Sequence, residues 1–164
     1  MNKGFTLIET IIYTALLSII ISSVLLIVYQ MLEGRYRLGA LIEVSEEGRF
    51  LMGKINWALD GLDAVIEPPL NATSSALSIN KLNFSPNPIM IYASGTEAFI
   101  SYGGGESMAL NSESVLIRDF LFRHFESGNV SAVEVSFDVE YRPREQITIY
   151  GARTSLKTTI YARK

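Results

Sequence analysis

Between Thr10 and Leu32 the chain carries no charged residue. A run of about 23 residues makes roughly 35 Å of helix at ~1.5 Å per residue, enough to cross a bilayer's hydrocarbon core. Just before it sits a carboxylate, Glu9, in the stretch KGFTLIET. A carboxylate at the centre of a membrane span costs roughly 2.5–3.5 kcal/mol on insertion scales. Near the end of the span the cost is lower, because the head group reaches the interface. As a tolerated edge residue Glu9 needs no partner; as a functional residue it needs a cation at its own depth. A secretory signal peptide is the competing reading, but its apolar core runs only ~7–15 residues and ends at a small-residue cleavage site. This run is longer, and no such site closes it. Lys3 and the α-amine precede the span, which places the N-terminus on the cytoplasmic side. Arg35 and Arg37 follow closely on the other side and weaken that bias.

The whole chain of 164 residues is 48% hydrophobic, with mean hydropathy +0.24 and net charge -3. Most of the apolar excess lies before Glu33; the remainder has the composition of a globular domain. The basic residues are scattered among acidic ones, so no nucleic-acid partner is expected. There is no cysteine, which excludes a disulfide framework, a thiolate nucleophile and a Cys-ligated zinc.

Past the apolar run, Leu38, Leu41/Ile42, Leu51/Met52, Ile55, Leu59, Leu62 and Ile66 recur at steps of three and four, the spacing of an amphipathic helix. Pro68-Pro69 is a hard stop. The pattern predicts one helix from about Phe5 to Glu67, with an apolar half over 5–32 and an amphipathic half over 33–67. Five glycines, Gly34, Gly39, Gly48, Gly53 and Gly61, each cost about 1 kcal/mol relative to Ala. They imply a helix held by packing, or one that bends or melts near Gly34–Gly39. From 68 to 164 the period changes to two. VLIRDFLFRHF, VSAVEVSFDVEY and TSLKTTIYAR alternate apolar and polar, and AFISYGGGESMAL predicts a hairpin around Gly103-Gly104-Gly105. In VEVSFDVEY, Val133, Val135, Phe137, Val139 and Tyr141 face one way and the acidic residues the other. The expected fold class is α+β. The long N-terminal helix packs its second half on a C-terminal antiparallel meander of about six strands, and 33–67 and 68–164 form one globular unit.

Candidate chemistry is sparse. The single histidine, His124, lies mid-strand and is expected at the surface or half packed. The acidic residues show no calcium-loop spacing; Glu106, Glu113 and Asp119 are the one set that a loop could bring together to hold calcium, but nothing in the sequence demands it, and no metal or cofactor is expected. Gly103-Gly104-Gly105 lacks the lysine and the helix N-terminus of a phosphate loop. Three glycan acceptor patterns, at Asn71, Asn83 and Asn129, are short enough to arise by chance. Tyr92, Phe99 and Tyr102 are aromatic candidates for a ligand surface, although strand aromatics more often pack in a core. Nothing here composes a catalytic site, so no enzyme is expected.

The residues around Glu9 carry more. Lys3-Gly4-Phe5-Thr6-Leu7-Ile8-Glu9 resembles the class III signal of type IV pilins and pseudopilins: a short basic leader ending in Gly, then Phe, then Glu at the fifth mature position inside an apolar helix. The resemblance implies that 1–4 is a leader and that prepilin peptidase cuts between Gly4 and Phe5 and methylates the new Phe5 amine. Methylation keeps the positive charge. It implies that Glu9 of an incoming subunit pairs with the N-terminal amine of its neighbour and sets axial register. Other pilin-like subunits, the assembly platform and the membrane are the implied partners. The implied location is a single-pass bacterial inner-membrane protein whose C-terminal domain is extracytoplasmic and later part of a filament. The last strands are similar to those of minor pseudopilins. A Cys-bounded loop and a mid-span Pro are both missing, which leans toward a pseudopilin or minor pilin. The alternative is a membrane-anchored binding module, an adhesin or DNA-uptake component on the same scaffold; a membrane-tethered hydrolase is third.

Overall fold

A computed structural model describes residues 6–128, 130–142 and 151–161. Among them are one helix, α1 (Leu7–Leu59), and nine strands in two antiparallel sheets. The first sheet is ordered β1 (Leu62–Glu67), β3 (Ala76–Lys81), β4 (Ile89–Ser94), β5 (Glu97–Tyr102) and β6 (Met108–Ala109). The second is ordered β2 (Thr73–Ser74), β7 (Val115–Ser127), β8 (Val130–Tyr141) and β9 (Arg153–Tyr161). This is the expected α+β architecture, a long N-terminal helix followed by antiparallel sheet, and it is pilin-like. The single six-stranded meander is corrected to two sheets. The split arises because β2 leaves the first sheet's path to pair with β7, Thr73 opposite Arg123 and Ser74 opposite Phe122.

The chain divides into two compact units, Met1–Gly39 and Ala40–Lys164. In the first, the described structure beyond Thr6 is α1 alone. The helix is apolar on all sides and its large side chains from Leu7 to Leu32 are exposed. An all-round apolar helix is stable only in an apolar environment. Its hydroxyls suit that environment. Thr10, Thr14, Ser18, Ser22 and Ser23 each donate to a backbone carbonyl three or four residues earlier, at 2.7–3.0 Å. Gly34 and Gly39 are helical, so the helix does not melt there.

In the second unit, α1 buries Ala40, Val44, Gly48, Leu51, Ile55, Ala58 and Leu59. The later part of the expected stripe, Leu51, Ile55 and Leu59, is buried, while Leu38, Leu41 and Ile42 are exposed and the earlier turns bury the smaller residues Ala40, Val44 and, at the closest approach, Gly48. A Cβ there would lie 2.5 Å from Leu156 Cδ1 and 3.4 Å from Val139 Cγ2. The helix backbone therefore approaches the second sheet more closely than a larger residue would allow. The core continues through Leu77, Ile79, Ile89, Ile91 and Ile100 of the first sheet and Phe122, Val135, Phe137 and Val139 of the second. Each such side chain contributes about 1.5–3 kcal/mol on burial. Phe120 packs edge-on to Phe122 at 4.8 Å and to Phe137 at 5.5 Å.

The helix ends at Leu59, not at Glu67, and Leu62 and Ile66 belong to β1. Gly61 takes φ +70°, the left-handed residue that closes helices. Past it the backbone pairs with β3, Leu62 opposite Lys81 and Val65 opposite Ile79. No basic residue occupies the last turn of α1; Lys81 of β3 supplies the cation instead. Its ammonium donates to the Trp57 and Asp60 carbonyls and sits 4.7 Å from the Trp57 ring centroid.

A second left-handed residue, Asp119 (φ 51°), sits where the β7–β8 register shifts between Arg118 and Leu121. Before the shift Val115 and Ile117 face the core; after it Phe120, Phe122 and His124 do. The extra residue flips the parity of the strand. Asp and Asn tolerate this conformation, whereas a β-branched residue does not. Asp119→Asn is expected to melt close to the parent protein. Asp119→Val is expected to lose about 1–2 kcal/mol, read by denaturant unfolding; equal loss in both variants contradicts the bulge as the cause.

Candidate functional site

The calls on Gly4 and Phe5 lie outside the described residues. The description begins at Thr6, whose carbonyl accepts from Glu9 N at 3.1 Å and Thr10 N at 3.2 Å. Thr6 is thus the N-cap of α1, and Glu9 is the third helical residue. Thr6-Leu7-Ile8-Glu9 has the spacing of a capping box, a signal the sequence reading missed. It gives Glu9 a local role, since an acidic residue in the first turn offsets the helix dipole. Glu9 is partly exposed, and its Oε1 accepts from the Tyr13 hydroxyl at 3.3 Å, one turn on. From Phe5 to Leu32 the sequence has no basic side chain. Any cation at this depth is therefore a backbone amine or belongs to another molecule.

The other candidates resolve into structure. His124 is buried, contrary to the surface or half-packed position expected. Its Nδ1 lies 3.0 Å from the Pro68 carbonyl and its Nε2 2.8 Å from the Ser131 hydroxyl. A carbonyl only accepts, so Nδ1 donates to Pro68, and in the neutral ring Nε2 accepts from the Ser131 hydroxyl. The backbone of His124 also exchanges bonds with Asn71 and Ala72. This histidine fastens the segment after Pro68 to β7, with both ring nitrogens hydrogen-bonded.

Tyr92 stacks on Phe99 at 5.6 Å and donates to Ser107 Oγ at 2.8 Å. Tyr102 instead packs against Trp57 and Phe84. The three aromatics form two clusters, not one platform. Glu106, Glu113 and Asp119 are not brought together: among the described residues no group of three or more His, Asp or Glu is placed to hold a metal. Gly103 and Gly104 have positive φ in the turn between β5 and β6.

The outward face of the second sheet carries an ordered set of charges. β8 presents Glu134, Asp138 and Glu140, flanked by Arg118 of β7 and by Arg153 and Lys157 of β9. Arg118 Nε meets Glu140 Oε2 at 2.6 Å and Lys157 Nζ meets Glu134 Oε1 at 3.2 Å. Arg153 Nε donates to Asp138 Oδ2 at 3.1 Å, and its Nη2 reaches Asp119 Oδ2 at 3.4 Å. The Ser155 hydroxyl, and then the Arg153 guanidinium, hold the Asp138 carboxyl below its ordinary value of 3.8 against the opposing effect of burial. Cross-strand pairs of this kind fix which strands neighbour one another and contribute about 0.2–1 kcal/mol each.

Residues 1–25 match the family model described as the prokaryotic N-terminal methylation motif. With one long N-terminal helix and antiparallel sheets, this match is consistent with a type IV pilin-like protein. No curated protein and no solved structure gives a significant match to the chain.

Two tests follow from the geometry. Asp138 has a lower pKa folded than unfolded, so at acid pH the unfolded chain binds the extra proton. Its stabilisation is full above the ordinary carboxylate value and is lost as pH falls through the folded value. The stability gap between the parent and Asp138→Asn is expected to be constant near neutral pH and to close below pH 3.8; a gap unchanged in acid contradicts the pairing. His124→Ala is expected to lose about 2–4 kcal/mol through a cavity and two orphaned polar groups. Thermal denaturation reads this loss, and a parent-like melting temperature contradicts the fastening role.

Proposed function

We propose that the chain is a non-catalytic filament subunit of a type II secretion pseudopilus or a type IV pilus, present as a minor or tip component. The observation that carries this reading is the coincidence of the methylation motif with one acidic residue at the head of an uncharged, membrane-length first half of a helix. Residues 1–4 act as the leader and 5–32 as the membrane anchor. Residues 33–164 form the domain that is carried. The N-terminus faces the cytoplasm before processing and the C-terminal domain faces outward.

Prepilin peptidase cuts the Gly4–Phe5 bond and methylates the Phe5 amine. Gly4 has no side chain to obstruct a protease working in the membrane. The product carries an ammonium at Phe5, four residues from Glu9. In hydrocarbon a lone carboxylate and a lone ammonium each cost several kcal/mol, so each favours a site that offers the other. The Glu9 of one subunit against the Phe5 amine of its neighbour fixes the axial register. This pairing does more for specificity than for net stability, as a buried polar group does in a coiled coil.

Co-expression with an active prepilin peptidase is expected to shorten the chain by MNKG and to add one methyl group, read by intact-mass spectrometry. An unchanged mass contradicts the reading. Glu9→Ala is expected to leave cleavage intact and to reduce incorporation into filaments at least about tenfold, the loss a pairing worth ~1.4 kcal/mol produces. Normal incorporation of Glu9→Ala contradicts the role in register.

A further inference from the structure

The four outer strands of the two sheets differ in how open their free edges are. β2 and β6 have two residues each, and β1 has two register shifts within six residues. Short and bulged edges resist further pairing. β9 is different. It is nine residues long, contains no proline, and pairs with β8 without a break from Ala132–Tyr161 to Glu140–Arg153. Among the described residues no strand pairs with its other side.

The direction of its backbone groups follows from the register. Tyr141 N donates to Ala152 O at 2.8 Å. Bonding direction alternates along an antiparallel pair, so Thr154, Leu156, Thr158 and Ile160 bond inward to β8. Arg153, Ser155, Lys157, Thr159 and Tyr161 turn their N–H and C=O groups outward. The side chains of these five share the outward face of the sheet, where β8 carries Glu134, Asp138 and Glu140, β9 carries Arg153 and Lys157, and β7 carries Arg118 with Asp119. Arg153 and Lys157 remain 54% and 65% exposed despite their ion pairs. Exposed cations on an edge strand favour acidic side chains on a strand added beside it.

We propose that the free edge of β9 is a docking site for an extended segment of a partner protein, added as a fifth strand to the second sheet. The segment carries acidic side chains opposite or diagonal to Arg153 and Lys157. Main-chain bonds to the outward groups of β9 supply the affinity, and the two cations select the sequence. The site does not depend on how the N-terminus is processed.

The test uses the full chain in detergent micelles and a nine-residue peptide that alternates valine with threonine or glutamate, its two glutamates four positions apart. The control peptide has lysine in place of glutamate. Amide hydrogen exchange is followed residue by residue by NMR. Without peptide, the amides of Ser155, Lys157 and Thr159 are expected to exchange fast and those of Leu156 and Thr158 slowly. The glutamate peptide is expected to slow the first group at least about tenfold, with the lysine peptide much weaker. Thr159→Pro removes one outward N–H at an edge, where proline is tolerated; it is expected to melt like the parent and to lose most of that protection. No protection by the glutamate peptide, or equal protection by both peptides, overturns the proposal. Concentration-dependent protection without any peptide assigns the edge to a second copy and also overturns it.

Discussion

A carboxylate at the head of a long uncharged run, if it serves in assembly, needs a cation at its own depth. Between Phe5 and Leu32 the chain has no basic side chain to offer. Two local features reduce the cost of Glu9 without removing it. Its place in the first turn of α1 sets it against the positive end of the helix dipole, and the Tyr13 hydroxyl donates to it. The proposed processing at the methylation motif would supply the charge that these features do not provide, an ammonium created by a cut just upstream. In the proposed assembly, a residue that is costly in the unprocessed protein becomes the one that specifies how subunits align.

The remainder of the molecule answers a different demand. From Ala40 onward α1 is exposed on one side, and its buried stripe is built from small residues as well as large ones. Gly48 sits where the helix comes closest to Val139 and Leu156. The end of the helix is held from outside, by a lysine from β3 in place of one in its own last turn. On the far face of the second sheet, cross-strand ion pairs between β7, β8 and β9 take the place that hydrophobic packing has on the near face.

Much of this was legible in the residues. The alternation in VEVSFDVEY gave the buried face of β8 as observed, because period two has only one reading when a strand is half buried. The uncharged run and the motif around Glu9 are local signals, and they located the candidate site without the fold. The errors fall where a single backbone residue overrides a pattern. Leu62 and Ile66 continue a helical spacing, but Gly61 in the left-handed region ends the helix before them. VLIRDFLFRHF reads as one alternating strand, but Asp119 shifts its register and turns His124 inward. The hidden partners of His124, Pro68 and Ser131, are brought to it by chain tracing that no local pattern encodes. The division into two sheets has the same origin, since alternation fixes the face of a strand and not its neighbour.

The central claim is that Glu9 meets the processed amine of another subunit. Zero-length carbodiimide crosslinking joins a carboxylate to an amine only when the two are in contact. Filaments or assembly intermediates made from an equal mixture of ¹⁴N- and ¹⁵N-labelled subunits distinguish the two possible sources of that amine. Pairing between subunits predicts crosslinked Phe5–Glu9 peptides in which one half is light and the other heavy. Crosslinked peptides carrying a single label throughout, or no such crosslink at all, would contradict it.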